Sequence, residues 1–148
     1  MDRLEGKTAV VTGAASGIGL GMTEAFANRG MRVVMADIEE GPLQAEAKRL
    51  SEANFHVTPS VTDVSSADDM RTLLEMATEN YGAVQVLCNN AGVGGGGGAI
   101  WESTENDWQW VMSVNFEGVL NGLRASMRLR ASPRVFTSTF RHAMPISA

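Results

Sequence analysis

The sequence predicts a doubly wound α/β fold, a parallel sheet with helices on both faces, and three observations carry that prediction. Short apolar runs rich in valine alternate with helix-forming stretches from Lys7 to about residue 129. The first run, "TAVVT", enters a glycine-rich turn, "GAASGIG", that opens directly into a helical pattern. The fourth run, "VQVLCNN", is apolar at nearly every position, as a strand covered on both faces should be.

The elements follow in order. Residues 7–12 form the first strand. From Ser16 to Arg29 the apolar residues Ile18, Met22, Ala25 and Phe26 recur at helical spacing, and Gly30 ends that helix. Residues 31–37, "MRVVMAD", are the second strand. Residues 43–53 are strong helix formers with Leu43, Ala47 and Leu50 on one face. Residues 55–61 are the third strand, and Pro59 inside it cannot donate to a ladder, which places this strand at a sheet edge. A strand order beginning 3-2-1-4 satisfies that requirement. Ser66 and Asp69 resemble a capping box, and the helix they start ends near Tyr81. Residues 84–90 are the fourth strand. The glycines 94–98 form a flexible loop, and residues 103–129 read mostly helical from Ser103 or Thr104, with Asp107 in the first turns.

Composition narrows the function classes. A chain of 148 residues fits one domain and can bury roughly 68–70% of its unfolded surface. Its 44% apolar and 20% charged residues suit a globular protein. Cys88 has no partner for an internal disulfide, and no signal segment or membrane-length apolar run is visible; the expectation is a cytoplasmic protein that does not enter a membrane. The net charge of −5 is uneven: 17 acids and 7 bases lie up to Glu117, and five arginines with no acid follow. His56 and His142 are isolated, and no Cys/His cluster has metal-ligand spacing, so no metal is expected; His56 reads as a strand residue. The nine methionines read as core packing on helix faces.

The glycine turn carries the first chemical signal. Gly13 allows the tight turn, Gly17 allows a ligand to approach the backbone, and Gly19 allows the helix to pack close to the sheet. Free N–H groups at the helix start, with the helix dipole behind them, favour a phosphate. The spacing is G-x-x-x-G-x-G rather than G-x-G-x-x-G, and a glycine-rich turn without a ligand is the alternative. Asp37, at the end of the second strand, follows Gly19 by 18 residues, where a carboxylate can accept hydrogen bonds from an adenosine ribose. It would repel a 2′-phosphate, and Ala14 and Ala15 offer no positive charge, so the cofactor expected is NAD rather than NADP. Asp37 as a plain turn acid remains the other reading.

Four pieces in order now resemble one family. "TGAASGIG" resembles the cofactor turn of the short-chain dehydrogenase/reductase family of NAD(P)-dependent oxidoreductases. "TDV" (62–64) resembles its segment after strand three, "NNAG" (89–92) its motif after strand four, and "VN" (114–115) the position of its catalytic asparagine. The resemblance covers about residues 5–125, the N-terminal portion of that family, and implies a Rossmann-type sheet truncated after about strand 4 or 5. It implies that Ser16, Ile18 and their neighbours face the pyrophosphate. Asp37 would hold the adenine ribose, and Asp63 and Val64 would flank the adenine. Asn89, Ala91 and Gly92 would line the cofactor and stabilise strand four. Asn115 would hold a water in a proton relay; read without the family, it is a helix amide capping a neighbouring strand end.

The family's acid–base pair is a tyrosine and a lysine four residues later that lowers the tyrosine's pKa and binds the nicotinamide ribose. Tyr81 is the sole tyrosine and is followed four residues later by Gln85; the lysines are Lys7 and Lys48. The family's catalytic serine ends strand five. Residues 134–139, "RVFTST", are strand-like, and Ser138 is the candidate, although the register could slip to Phe140.

Residues 1–130 are thus expected to form an incomplete dinucleotide-binding domain, and residues 131–148 a basic tail or a remnant of strand five. That tail reads as truncation, as a shifted frame or splice product, or as a nucleic-acid arm; five scattered arginines give the last little support, and no nucleic-acid partner is expected. The expected function is that of a dehydrogenase fragment whose intact relative moves a hydride between nicotinamide and a small alcohol or ketone. This chain alone is expected to be inactive. The alternative is a non-catalytic dinucleotide-binding or interaction protein. An uncovered fourth strand would invite self-association, as a homo-oligomer or an aggregate.

Overall fold

The computed structural model describes residues 4–95 and 99–131. Four strands form one sheet: β1 (Thr8–Thr12), β2 (Arg32–Asp37), β3 (Val57–Val61) and β4 (Val84–Cys88). Their order is β3-β2-β1-β4, and every pairing is parallel. Pro59 lies opposite Met35 on the edge strand β3, where a missing N–H is tolerated.

Strand alternation divides the core in two. Ala9, Val11, Val33 and Met35 pack with Leu43, Ala47 and Leu50 of α2 (Glu40–Glu52) and with Ala27 of α1 (Gly17–Ala27). Val10, Val34 and Ala36 face the other way, onto Met70, Leu73, Leu74 and Ala77 of α3 (Ala67–Tyr81). Ala125 of α5 (Gly118–Ala131) joins that second layer. The α3 start is capped as the sequence suggests: Ser66 Oγ accepts from Asp69 N at 3.2 Å.

Several details differ from the sequence reading. The buried face of α1 is Gly19, Thr23 and Ala27; Ile18 falls outside that i, i+4 row and is 78% exposed, while Met22 and Phe26 are half-buried beside it. Residues 103–129 are not one regular helix. A single 3₁₀ turn (Ile100–Glu102) precedes α4 (Glu105–Met112), and a π-helical segment (Ser113–Glu117) joins α4 to α5. The methionines are divided: Met31, just before β2, and Met35 within it are buried, Met70 is buried on α3, and Met112 and Met127 are exposed. His56 is exposed and stops short of β3, lending its carbonyl to Val33 N at 2.9 Å. β4 ends at Cys88 rather than residue 90, and it is half-buried or exposed along its length. Among the described residues β4 pairs with β1 alone. The β1–β4 register slips between Thr8 and Ala9, passing over Gln85, whose Oε1 accepts from Thr8 N at 2.7 Å and replaces the lost ladder bond.

Candidate functional site

The C-terminal ends of β1, β2 and β4 converge on the glycine turn. In a parallel sheet this edge is where loops are free to build a site. Gly13 turns the chain with φ +66, and Gly17 starts α1 with φ +53. The three glycines do different work. A Cβ at Gly13 would lie 2.9 Å from Ala91 Cα, so this glycine permits the close approach of the segment after β4. A Cβ at Gly19 would overlap the Gly13 carbonyl oxygen, so this glycine lets the helix close onto its own turn. A Cβ at Gly17 would meet nothing within 4 Å; the turn opens outward there. Ser16 precedes α1 in an extended conformation, and its hydroxyl makes no capping bond to the helix. The N–H groups of the first turn, Gly17, Ile18 and Gly19, therefore have no helical acceptor.

Asp37 is tied directly to this turn. Its Oδ2 accepts from Ala15 N at 2.9 Å, and its Oδ1 accepts from Glu39 N at 3.1 Å. Ala14 N donates to Ala36 O at 3.1 Å, so the end of β2 and the turn form one hydrogen-bonded unit. The β3–α3 loop joins the same edge, because Thr62 N donates to Asp37 O at 2.9 Å. In that loop Asp63 Oδ1 accepts from Ser65 N at 2.9 Å and from Ser65 Oγ at 2.7 Å. Val64 is buried against α5.

The "NNAG" segment divides its two asparagines between the faces of the sheet. Asn90 locks the turn: its Nδ2 donates to Thr12 O at 2.9 Å and to Gly13 O at 3.3 Å. Thr12 Oγ1 answers by accepting from Asn90 N and Ala91 N, both at 3.0 Å. Asn89 points the other way, against Gly122, where a Cβ would overlap its amide oxygen. The family resemblance assigns roles to Asn89, Ala91 and Gly92; the structure adds Asn90 and Thr12, which stabilise this end of β4. Alternation continued from β4 separates the two: Asn90 has the parity of Cys88 and Asn89 that of Leu87, and Cys88 and Leu87 pack in opposite core layers. Burial pushes the Cys88 thiol pKa up, which keeps it protonated and poorly nucleophilic near neutral pH.

Asn115 lies in the π-helical segment, a type of irregularity frequent at functional sites. Both ends of its amide are engaged by one residue: Oδ1 accepts from Val93 N at 2.8 Å, and Nδ2 donates to Val93 O at 2.9 Å. Gly92 lies alongside, with room for a Cβ 3.4 Å from Asn115 Oδ1. The side chain thus clamps the loop after β4. Ser138, and the strand expected at 134–139, lie outside the described residues. Among the described residues no group of three or more His, Cys, Asp or Glu side chains could hold a metal, and no helix is long and apolar enough to cross a membrane.

Comparison with known proteins gives the geometry its context. The family model described as short chain dehydrogenase matches residues 7–134. The chain is 38% identical over 119 residues to a 3-oxoacyl-(acyl-carrier-protein) reductase, FabG, of Thermotoga maritima, covering 80% of this chain and 48% of the relative. It is 43% identical over 110 residues to a 1-deoxy-11-beta-hydroxypentalenate dehydrogenase of Streptomyces arenae, covering 74% of this chain and 39% of the relative. A short chain dehydrogenase/reductase from Burkholderia phymatum, solved in complex with NAD, superposes with a TM-score of 0.83 at 44% identity, covering 86% of this chain and 45% of that one. The chain spans about half the length of the curated relatives it matches. With its four-stranded parallel sheet, its glycine turn and the segment "NNAG" all in the family's order, the chain belongs to the short-chain dehydrogenase family.

Proposed function

We propose that the chain binds NAD(H) at the glycine turn and is the cofactor-binding part of an oxidoreductase that moves a hydride between nicotinamide and a small alcohol or ketone carbon. The observation that carries this reading is the union of two features. The first turn of α1 presents N–H groups without helical acceptors beside the open Gly17, and Asp37 is fixed to the same turn through Ala15 N. A pyrophosphate suits the helix start, and a ribose diol suits the carboxylate. The donor set fits that cofactor. Gly13, Ser16, Gly17, Ile18 and Gly19 would hold the phosphates and Asp37 the adenosine ribose, with Asp63 and Val64 at the adenine. Ala91 and Gly92 would line the far side, and Asn89 would hold the end of β4 against α5. The negative charge of Asp37 favours NAD over NADP, and the solved relative with bound NAD supports the same choice.

Nicotinamide, when bound, supplies the hydride chemistry; the residues of this chain bind and orient. Asn115 acts as a support, since its amide is taken up by Val93, and any water it serves in a proton relay would meet its backbone. Ser138 remains the candidate for steadying the substrate oxygen. Within these 148 residues no tyrosine follows Tyr81 and no lysine follows Lys48, so no acid–base pair of the family's kind is present. The second reading, a non-catalytic dinucleotide-binding protein, rests on the same glycine turn and Asp37, and a turnover assay separates the two. We also propose a cytoplasmic setting and self-association. The latter is supported by the single partner of β4 among the described residues and by the exposed Trp108, Trp110, Phe116 and Met127.

The test is a fluorescence titration of NADH into the purified chain, followed by a turnover assay with secondary alcohols and ketones. Binding without turnover is expected, since loss of one acid–base group typically removes about 10²–10⁴ in rate. A folded chain that binds no dinucleotide would overturn the reading. Turnover that disappears in a Gly19→Asp variant would show that the proton chemistry lies elsewhere in this chain.

A further inference from the structure

One helix touches every loop of the candidate site that lies on its side of the sheet, and one buried polar side chain on it has no role in the reading above. Asn121 of α5 is 7% exposed. Its Nδ2 donates to Val64 O at 3.0 Å and to Ser65 O at 3.2 Å. Gly118, one turn earlier, lies so close that a Cβ would fall 2.8 Å from Val64 Cγ2. Gly118, Asn121, Gly122 and Ala125 therefore form one buried stripe at helical spacing that meets the β3–α3 loop and the end of β4.

We infer that Asn121 is a positioning residue that fixes the adenine end of the site by holding the Val64 and Ser65 carbonyls; the inference rests on the dinucleotide reading above. The chain of contacts is short. Asn121 holds the peptide of Ser65. The N–H and hydroxyl of Ser65 both donate to Asp63 Oδ1. Both bonds fall on one oxygen, so the orientation of the carboxylate is set while its other oxygen carries acceptor capacity for an amino donor. An adenine presents such a donor in its exocyclic amine, and a hypoxanthine presents an oxygen in the same place. With Asn121 in place, the site prefers the adenine base. Without it, the buried Val64 carbonyl and the half-buried Ser65 carbonyl lose the Asn121 donor, and the loop loses the tie that orients Asp63.

The readout is therefore a ratio rather than an affinity. NADH and reduced nicotinamide hypoxanthine dinucleotide are both titrated by fluorescence into the full 148-residue chain. The unaltered chain should bind NADH about tenfold more tightly, the worth of one well-oriented hydrogen bond to a charged group. Asn121→Leu, close in size and without a donor, should bring the ratio to within about twofold, the pyrophosphate and ribose contacts being common to both ligands. Asn121→Ser, whose hydroxyl is too short to reach either carbonyl, is the smaller change to use if the leucine variant does not fold; the same collapse of the ratio is expected. A folded variant that keeps the unaltered ratio overturns the inference and leaves the dinucleotide reading standing. An unaltered chain that binds both ligands equally also overturns it. Failure of the unaltered chain to bind either ligand removes both readings together.

Discussion

Thr12 and Asn90 hold each other at both ends: the Asn90 amide nitrogen donates to the Thr12 carbonyl at 2.9 Å, and the Thr12 hydroxyl accepts from the Asn90 backbone N–H at 3.0 Å. The same hydroxyl accepts from Ala91 N at 3.0 Å and donates to Cys88 O at 3.2 Å. Thr12→Val keeps the shape and removes every one of these hydroxyl bonds. Ala91 N then loses its acceptor in a half-buried site, and the expected cost is about 1–3 kcal/mol. Urea denaturation measures it; a change below about 0.5 kcal/mol, the range of ordinary surface substitutions, would show that this junction is not what holds β4 to the turn.

Two glycines in α1 should respond oppositely to alanine. At Gly19 the new methyl collides with the Gly13 carbonyl, so the turn must open and NADH binding should be lost. At Gly21 a Cβ meets nothing within 4 Å and the backbone is helical, so alanine should stabilise the chain by about 0.5–1 kcal/mol through helix propensity. Melting curves and NADH titrations of both variants check the pair. Equal behaviour of the two would contradict the assignment of Gly19 to a packing role.

Asp37 serves the turn and the proposed ribose at once. Asp37→Ala should weaken NADH binding about tenfold or more, because a charged acceptor for two hydroxyls is lost. It should leave NADPH binding unchanged or improved, because the repulsion of a 2′-phosphate goes with the carboxylate. Calorimetry with both cofactors decides it. Tighter binding of NADPH than NADH by the unaltered chain would refute the cofactor choice.

The start of α4 should be sensitive to acid. The Thr104 hydroxyl donates to Asp107 Oδ2 at 2.7 Å and the Thr104 N–H at 2.8 Å, which hold the Asp107 carboxyl below its ordinary pKa. A folded-state pKa below the unfolded one means a contribution fully present above the ordinary aspartate range and lost as pH falls through the depressed native value. Thr104→Val removes the larger of the two causes and should return the Asp107 pKa toward its ordinary value. A carboxyl-carbon NMR titration reads this directly; an unchanged midpoint in the variant would mean that the hydroxyl does not set it.

Much of the sheet was legible before any coordinates. The short apolar runs locate all four strands; β1 and β2, covered on both faces, carry apolar side chains in both directions, whereas β3 and β4 are only partly covered. Pro59 placed β3 at the edge through its missing N–H, and Ser66 and Asp69 marked the start of α3 through local hydrogen bonds. These signals are local: each depends on a residue's own backbone chemistry or on neighbours within one turn. The face of α1 was misread for a related reason. Hydrophobic spacing selects Ile18, Met22 and Phe26, but the fully buried row is Gly19, Thr23 and Ala27, small or polar residues that carry no hydrophobic signal.

What the sequence by itself determined was the order of elements, the glycine turn and the carboxylate at the end of β2, because those are set by φ, by missing hydrogens and by period. The partners of the polar side chains were decided only in three dimensions. Asn90 meets Thr12 across 78 residues, Asn115 meets Val93 across 22, and Asn121 meets Val64 across 57. An amide can satisfy its donors and acceptor with any backbone group it reaches, so its sequence carries no address for its partner. The sheet twist, the strand parity and the close approach permitted by Gly118 and Gly122 supply that address.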